Sequence, residues 1–391
     1  MKLIHTGDWH IGKIVNEFSM IEDQKIVLKQ LINIIEEEKP NALIIAGDLY
    51  DRSIPPVEAV ELLDEVFSKI LLELKVPILA IAGNHDSPER VGFGSRIFTE
   101  NGLHIAGSFD KEKKKIKKVV LKSDNEKFNF YLLPYCDPKE IKHVFRDDKI
   151  SNNDDAMRVL IDNIKMDLNK DEKNILITHA YANFIKNNEE LELSESERPL
   201  SIGGTDLVNA EYFSGFTYTA LGHLHKPQKV RDNKIRYSGS LLKYSFSEVN
   251  HKKGATIVNI DKNGEIDIDF REFNPKRDMR IIKGPLEQLI SPEVYKDTNT
   301  EDYIYAILTD KGELVDPIAK LRAVYPNVMG LSREEEVKRE DSKTSAGQGY
   351  KNKTKLELFK EFYNSMTGKE LEKESLKIIT NVIEKIEKEV S

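Results

Sequence analysis

Uninterrupted apolar runs alternate, through much of the chain, with stretches whose apolar positions return at helical spacing. Runs at 2–5, 42–46, 77–82, 174–177 and 218–221 carry few polar side chains, the pattern of strands covered on both faces. Stretches near 20–38, 56–73 and 154–168 show the helical period. Strand and helix in alternation predict an α/β fold, central β-sheets flanked by helices in layers. Beyond residue 225 the pattern shifts to short β-rich pieces at 234–238, 255–260 and 265–270, with Asn263-Gly264 as the hairpin turn between the last two. A first domain is therefore expected over 1–275. Apolar runs at 280–282 and 303–308, with a helix over 317–323, predict a small α+β capping unit over 276–331.

Residues 332–353 are rich in Glu, Lys, Arg, Ser and Gly without apolar periodicity, which predicts a flexible linker. From 354 to 391 the helical period returns. Leu356, Phe359, Phe362, Tyr363 and Met366 share one face of a first helix; Thr367-Gly368-Lys369-Glu370 is a capping box opening a second. Such a tail either folds back on the body or offers its apolar stripe to a partner groove.

Composition narrows the class. Among 391 residues, 39% are hydrophobic and 32% charged, as in a soluble globular protein of two or three domains. No run reaches membrane-spanning length, and the opening residues do not form a secretory signal. Cys136 stands alone, which excludes an internal disulfide and fits a reducing cytoplasm. The net charge of −8 does not favour nucleic acid as a partner; cations bound in a cleft can still supply the field a phosphate needs. Lys13, Arg52 and Arg90 stand beside the motifs, either as backbone contacts for DNA or as solvated surface. The basic run 111–118 reads as an exposed loop entering a strand.

The chemistry lies where the five apolar runs end. They run into Thr6-Gly7-Asp8-Trp9-His10, Gly47-Asp48-Leu49-Tyr50-Asp51, Gly83-Asn84-His85-Asp86, Thr178-His179 and Gly222-His223-Leu224-His225. Any one of these is an ordinary turn or capping pair. Five in order put Asp8, His10, Asp48, Asn84, His179, His223 and His225 at the carboxyl ends of strands, where α/β sheets hold ligands. Glycine is expected to permit each sharp turn. In an extended Asp8-x-His10 the two side chains would point the same way, and Asp48 has lone pairs enough to bridge two cations. Carboxylate, amide oxygen and imidazole without thiolate suit Mn²⁺, Fe²⁺ or Zn²⁺, with Mn²⁺ first. Asp86 is expected to fix its turn or support a neighbour.

This ordered set resembles the calcineurin-like metallophosphoesterase superfamily. Within it, Gly47-Asp48-Leu49-Tyr50-Asp51-Arg52 and Gly83-Asn84-His85-Asp86-Ser87-Pro88-Glu89-Arg90 resemble the bacterial SbcD nuclease family. The resemblance implies that Asp8, His10, Asp48 and His225 hold one ion, and Asp48, Asn84, His179 and His223 the other. It implies His85 as general acid or transition-state stabiliser, with the Asp51 carboxylate keeping His85 oriented. It implies DNA cleavage by a metal-activated water: 3′-to-5′ exonuclease action on duplexes and endonuclease action on single strands and hairpins. A coiled-coil ATPase of the SbcC type would bind the tail, in a heterotetramer built on a homodimer through helices near 56–73 and 90–101. The sequence holds no P-loop, so ATP dependence would come from that partner. A phosphatase or phosphodiesterase of another substrate would use the same metal centre.

Overall fold

Along the first strands, successive residues are all buried yet enter different cores. Leu3, Ile44, Leu79 and Ile81 lie in one cluster, while their neighbours Ile4, Leu43, Ile45 and Ile78 lie in another. A strand with no wet face is therefore apolar throughout rather than at every second position. Each such Leu or Ile contributes about 1.5–3 kcal/mol on burial.

The computed structural model describes residues 1–123, 126–184, 191–197, 200, 206–334 and, in the tail, 359–360, 363–364, 375–376 and 379. In chain order the strands are β1 (Lys2–Thr6), β2 (Ala42–Ile45), β3 (Ile78–Ile81), β4 (Leu103–Ala106), β5 (Lys117–Ser123), β6 (Glu126–Leu133), β7 (Lys173–His179) and β8 (Tyr218–Gly222). They continue as β9 (Gln228–Val230), β10 (Asp232–Tyr237), β11 (Gly254–Ile260), β12 (Ile266–Glu272), β13 (Met279–Gly284), β14 (Tyr303–Leu308) and β15 (Val328–Arg333). The main helices are α1 (Ile21–Glu38), α2 (Val57–Ser68), which runs on into a π-turn over Lys69–Glu73, and α3 (Asn153–Lys165).

Two six-stranded sheets face each other. The first has the order β12-β11-β1-β2-β3-β4, the second β9-β10-β8-β7-β6-β5. In the first, β1 to β4 are mutually parallel and β11 runs antiparallel to β1. In the second, β6, β7, β8 and β10 are parallel neighbours. Leu3, Ile44, Leu79, Phe130, Ile177 and Ala220 fill the space between the sheets. The outer face of the first is covered by α1 and α2, that of the second by α3. The layers are helix, sheet, sheet, helix. Parallel β1, β2 and β3 release their loops at one edge, and the register β7–β8 sets His179 opposite Gly222, so the motif loops of each sheet start side by side.

A third sheet, β13-β14-β15, is wholly parallel. One face packs on Leu286, Leu289 and Leu321 of its own short helices and on Tyr325 just beyond the last of them. The other meets the main body: Tyr303 joins the first core, and the Tyr305 ring lies 5.3 Å from that of Phe246. β15 extends to Arg333, so residues 332 and 333 belong to this sheet rather than to a linker. Residues 335–353 of the expected linker lie outside the described residues, as does most of the tail, whose described positions are helical.

Candidate metal centre

The loops leaving the first sheet hold one another by backbone. Asp8 N–H donates to the Gly47 carbonyl at 3.0 Å and His10 N–H to that of Asp48 at 2.9 Å. Asp86, buried, accepts from the N–H groups of Leu49, Tyr50 and Gly83 at 3.0–3.1 Å, clasping the second and third loops together. His85 N–H donates to Asp48 Oδ1 at 2.9 Å. Asp8, His10 and Asp48 have φ of 51°, 46° and 50°, and His223 has 104°. The sequence expectation that Asp8-x-His10 is extended is therefore wrong: the chain curls at each of these residues. Left-handed backbone at a side chain other than Gly is strained and collects at functional sites. The role expected of glycine changes too. Gly47 takes a positive φ, but Gly83 and Gly222 are needed for room, since a Cβ there would collide with the Asp48 carboxylate and the Ala46 carbonyl.

The histidines from the second sheet meet this cluster. His225 Nε2 lies 3.1 Å from His10 Nε2, and His179 Nε2 lies 2.9 Å from Asn84 Oδ1. Asp48 Oδ2 stands between the two groups, 3.6 Å from His10 Nε2 and 3.4 Å from His179 Nε2. His223 N–H donates to Asp8 Oδ1 at 2.8 Å, and its ring packs edge-on against His179 with centroids 5.4 Å apart. Among the described residues, Asp8, His10 and His225 offer donor atoms within 4.8 Å of one another, and so do Asp8, Asp48 and His179. All seven expected residues come together.

The charges suit a cation. Burial pushes the Asp8 carboxyl well above the usual carboxylate range, with Asp48 adding to the rise. Burial opposes charge on Asp48 also, but His179 and then His10 hold its carboxyl well below that range. Burial keeps His10, His223 and His225 neutral, so each has a lone pair to give. His179 differs. Burial would lower it, but the Asp48 charge raises it to about 9, and its Nδ1 donates to the Ala46 carbonyl at 2.9 Å. Asp8 Oδ2 and His10 Nδ1 are buried with no hydrogen-bond partner, a cost that a neighbouring divalent ion relieves at the carboxylate. The residues present fit a metal centre.

Asp51 requires a correction. Its carboxylate makes no hydrogen bond to His85, although the two side chains and His10 offer ligand atoms within 4.8 Å of one another; it pairs with Lys13 Nζ at 2.7 Å and lies 3.7 Å from His10 Nδ1. His85 Nδ1 donates instead to the Asp51 main-chain carbonyl at 2.7 Å. The curl of the second loop turns the carbonyl, not the side chain, toward the ring. Lys13 is thereby paired, while Arg52 and Arg90 are exposed. In the basic run, Lys111 pairs with Glu140 and Lys118 with Asp167, and Lys117 caps the Ile105 carbonyl. Sequence reasoning missed Glu248, Lys253, Ser196 and Gln24, which surround the cluster from behind. Nothing in their spacing marks them.

Residues 1–227 match the family model described as calcineurin-like phosphoesterase, and residues 275–367 the one described as type 5 capsule protein repressor C-terminal domain. A curated relative from Staphylococcus epidermidis, the SbcD component of the nuclease SbcCD, is 36% identical over 368 residues, spanning 92% of this chain and 95% of the relative. The chain belongs to the SbcD family of calcineurin-like phosphoesterases. An SbcD-family chain is a phosphodiester hydrolase, and family and donor set together make divalent metal its cofactor. Among solved structures, a hypothetical protein from Thermus thermophilus is similar with a TM-score of 0.39 at 13% identity, over 70% of this chain and 100% of that one. A dimetal phosphatase from Danio rerio has a TM-score of 0.42 at 13% identity, over 70% and 96%. Among the described residues, no helix is long and apolar enough to cross a membrane.

Proposed function

We propose that this chain is the nuclease subunit of an SbcCD-type complex. It would act in DNA recombination, replication and repair, as a 3′-to-5′ double-strand exonuclease and an endonuclease on single strands and hairpins. The observation that carries the reading is the grouping of Asp8, His10, Asp48, His179 and His225, with Asn84 and His223 beside His179, in a chain 36% identical to such a subunit along nearly its whole length. Asp8, His10, Asp48 and His225 hold one ion; Asp48, Asn84, His179 and His223 hold the other. The imidazole-rich, thiolate-free set favours Mn²⁺. Bound there, the ions supply an activated water and take up charge on the phosphoryl oxygens. His85, fixed at Nδ1 by the Asp51 carbonyl, presents Nε2 to the leaving alkoxide and gives it a proton.

The phosphoesterase domain spans 1–275, and the cap, from 276, helps position DNA. The tail over 354–391 grips a coiled-coil ATPase of the SbcC type, which governs access of duplex DNA. The subunit pairs with a second copy in a heterotetramer. Support for that pairing is the exposed apolar set Val57, Val60, Leu72, Phe93, Ile97 and Phe98, on α2, its π-helical extension and the turn and short helix over 92–98. A lone cysteine and the SbcD likeness favour the cytoplasm.

The test is cleavage of end-labelled DNA duplex and hairpin with Mn²⁺, alongside His85→Ala. Cutting should fall about 10²–10⁴-fold in the variant while metal per chain stays unchanged. No cutting of either DNA, even with the ATPase partner and ATP, together with turnover of a generic phosphoester, would move the chain to the phosphatase reading.

A further inference from the structure

His225 is held at three points, and two of them lead back to one buried carboxylate. Its Nδ1 lies 2.6 Å from Ser196 Oγ and 3.2 Å from Glu248 Oε1. Its carbonyl accepts from Lys253 Nζ at 2.7 Å, and its N–H donates to Glu197 Oε1 at 2.8 Å. Glu248 is fully buried and gathers the set: Oε1 accepts from Ser194 and Ser196 at 2.6 and 2.5 Å, and Oε2 pairs with Lys253 Nζ at 2.6 Å. Ser196 Oγ gives its proton to Glu248 and so accepts from Nδ1–H, with the carboxylate behind it at 3.2 Å, and the ring keeps the tautomer whose Nε2 lone pair faces His10.

Glu248 ends a single turn of 3₁₀-helix, Phe246–Glu248, whose first residue points the other way. Phe246 leaves the turn to pack on Tyr305 of the cap sheet. A second link starts on α1. Asp23 accepts from Tyr303 Oη at 2.8 Å and pairs with Arg277 at 3.0 Å, both toward the cap. Its neighbour Gln24 donates from Nε2 to the His10 carbonyl at 2.8 Å and to Tyr244 Oη at 3.0 Å. Cap contacts therefore reach both His10 and His225. His179 is steadied from within the main body, by the Ala46 carbonyl.

We propose that Glu248 is a positioning residue for His225, and that the cap, seated on Phe246, sets the geometry of the His10–His225 half of the metal centre. The inference rests on the ligand reading proposed above. It makes the cap a selector of one ion rather than a surface for DNA alone: tilting it would loosen that ion first. The length of the lever is one helical turn, so a small displacement at Tyr305 reaches the His225 ring without crossing the intersheet core.

The test is a calorimetric titration of the full chain with Mn²⁺ alone, resolving two sites, with thermal unfolding run beside it. Glu248→Gln with Lys253→Met removes both charges together, so that neither is left buried and unpaired. One site should weaken about 10–100-fold and the other stay unchanged. Ser196→Ala, a milder change that keeps the ion pair, should weaken the same site by less, as should Tyr305→Ala in the cap. Both sites falling equally, both staying at wild-type affinity in a folded variant, or Tyr305→Ala leaving the sensitive site untouched would overturn the proposal. His225→Ala separates the two readings: if it spares both ions, the ligand assignment has failed; if it removes one, a failure of the other variants falls on the positioning role.

Discussion

The two sheets deliver their side chains to the cluster by different means. Asp8, His10, Asp48 and His85 sit on loops that bind one another, backbone to backbone and through the Asp86 clasp. The histidines of the second sheet are held from outside: His179 by Ala46, His223 by Asp8, His225 by Glu197, Ser196 and Glu248. His179 and His223 thus lean on the first sheet's own motif segments, while His225, like the His10 carbonyl on Gln24, leans on partners from elsewhere along the chain. A local cradle survives changes elsewhere; a borrowed one transmits them.

Asp48 is where the halves meet, and breaking it should have the largest effect. Asp48→Asn removes the carboxylate standing 3.6 Å from His10 and 3.4 Å from His179. Phosphodiester turnover should fall about 10³-fold or more, some 4 kcal/mol of transition-state stabilisation, with metal per chain reduced at both sites by mass spectrometry. Loss of one ion with the other held at full strength would show that the halves are independent.

A second test probes the seam between the sheets. His5 on β1 places Nδ1 2.9 Å from Tyr218 Oη on β8. Burial, then the Arg236 charge, lowers its pKa from 6.5 to about 3. A folded pKa below the unfolded one means the protein binds protons more readily when unfolded. The stability is thus fully present above pH 6.5 and is lost as pH falls toward 3. Between pH 6.5 and 5 His5 alone should account for about 2 kcal/mol. Metal-free protein followed by denaturant unfolding should show that slope, and His5→Gln should flatten it. An unchanged slope in the variant would assign the acid sensitivity to the cluster histidines instead.

The layered α/β fold could be read because runs as short as β2 and β3, each closed by Gly and alternating with helical stretches, fit buried strands better than helices. The cluster could be read because its donors follow those strands directly. What could not be read was the curl at Asp8, His10 and Asp48: Asp and His are enriched at positive φ, but most of them elsewhere do not adopt it, so residue type alone does not mark the positions. Nor could Glu248 and Lys253 be found. Five residues apart in a polar stretch, they look like surface, and only the fold shows that β11 carries the segment inward behind His225.

The smallest effect expected is also the sharpest check on that curl. If the Asp51 carboxylate oriented His85, Asp51→Asn would approach the loss of His85→Ala. In the structure the ring is held by the Asp51 carbonyl, which the substitution keeps, while the carboxylate serves Lys13. What Asn loses is one partly buried ion pair beside His10, about 1 kcal/mol, or less than tenfold in turnover. Lys13→Met should match it, because both remove the same pair; the double variant should then be no worse than either alone. A loss at Asp51→Asn a hundred times that at Lys13→Met would mean the carboxylate swings onto His85 when substrate binds. The His85 ring would then depend on the Asp51 side chain as well as on its carbonyl.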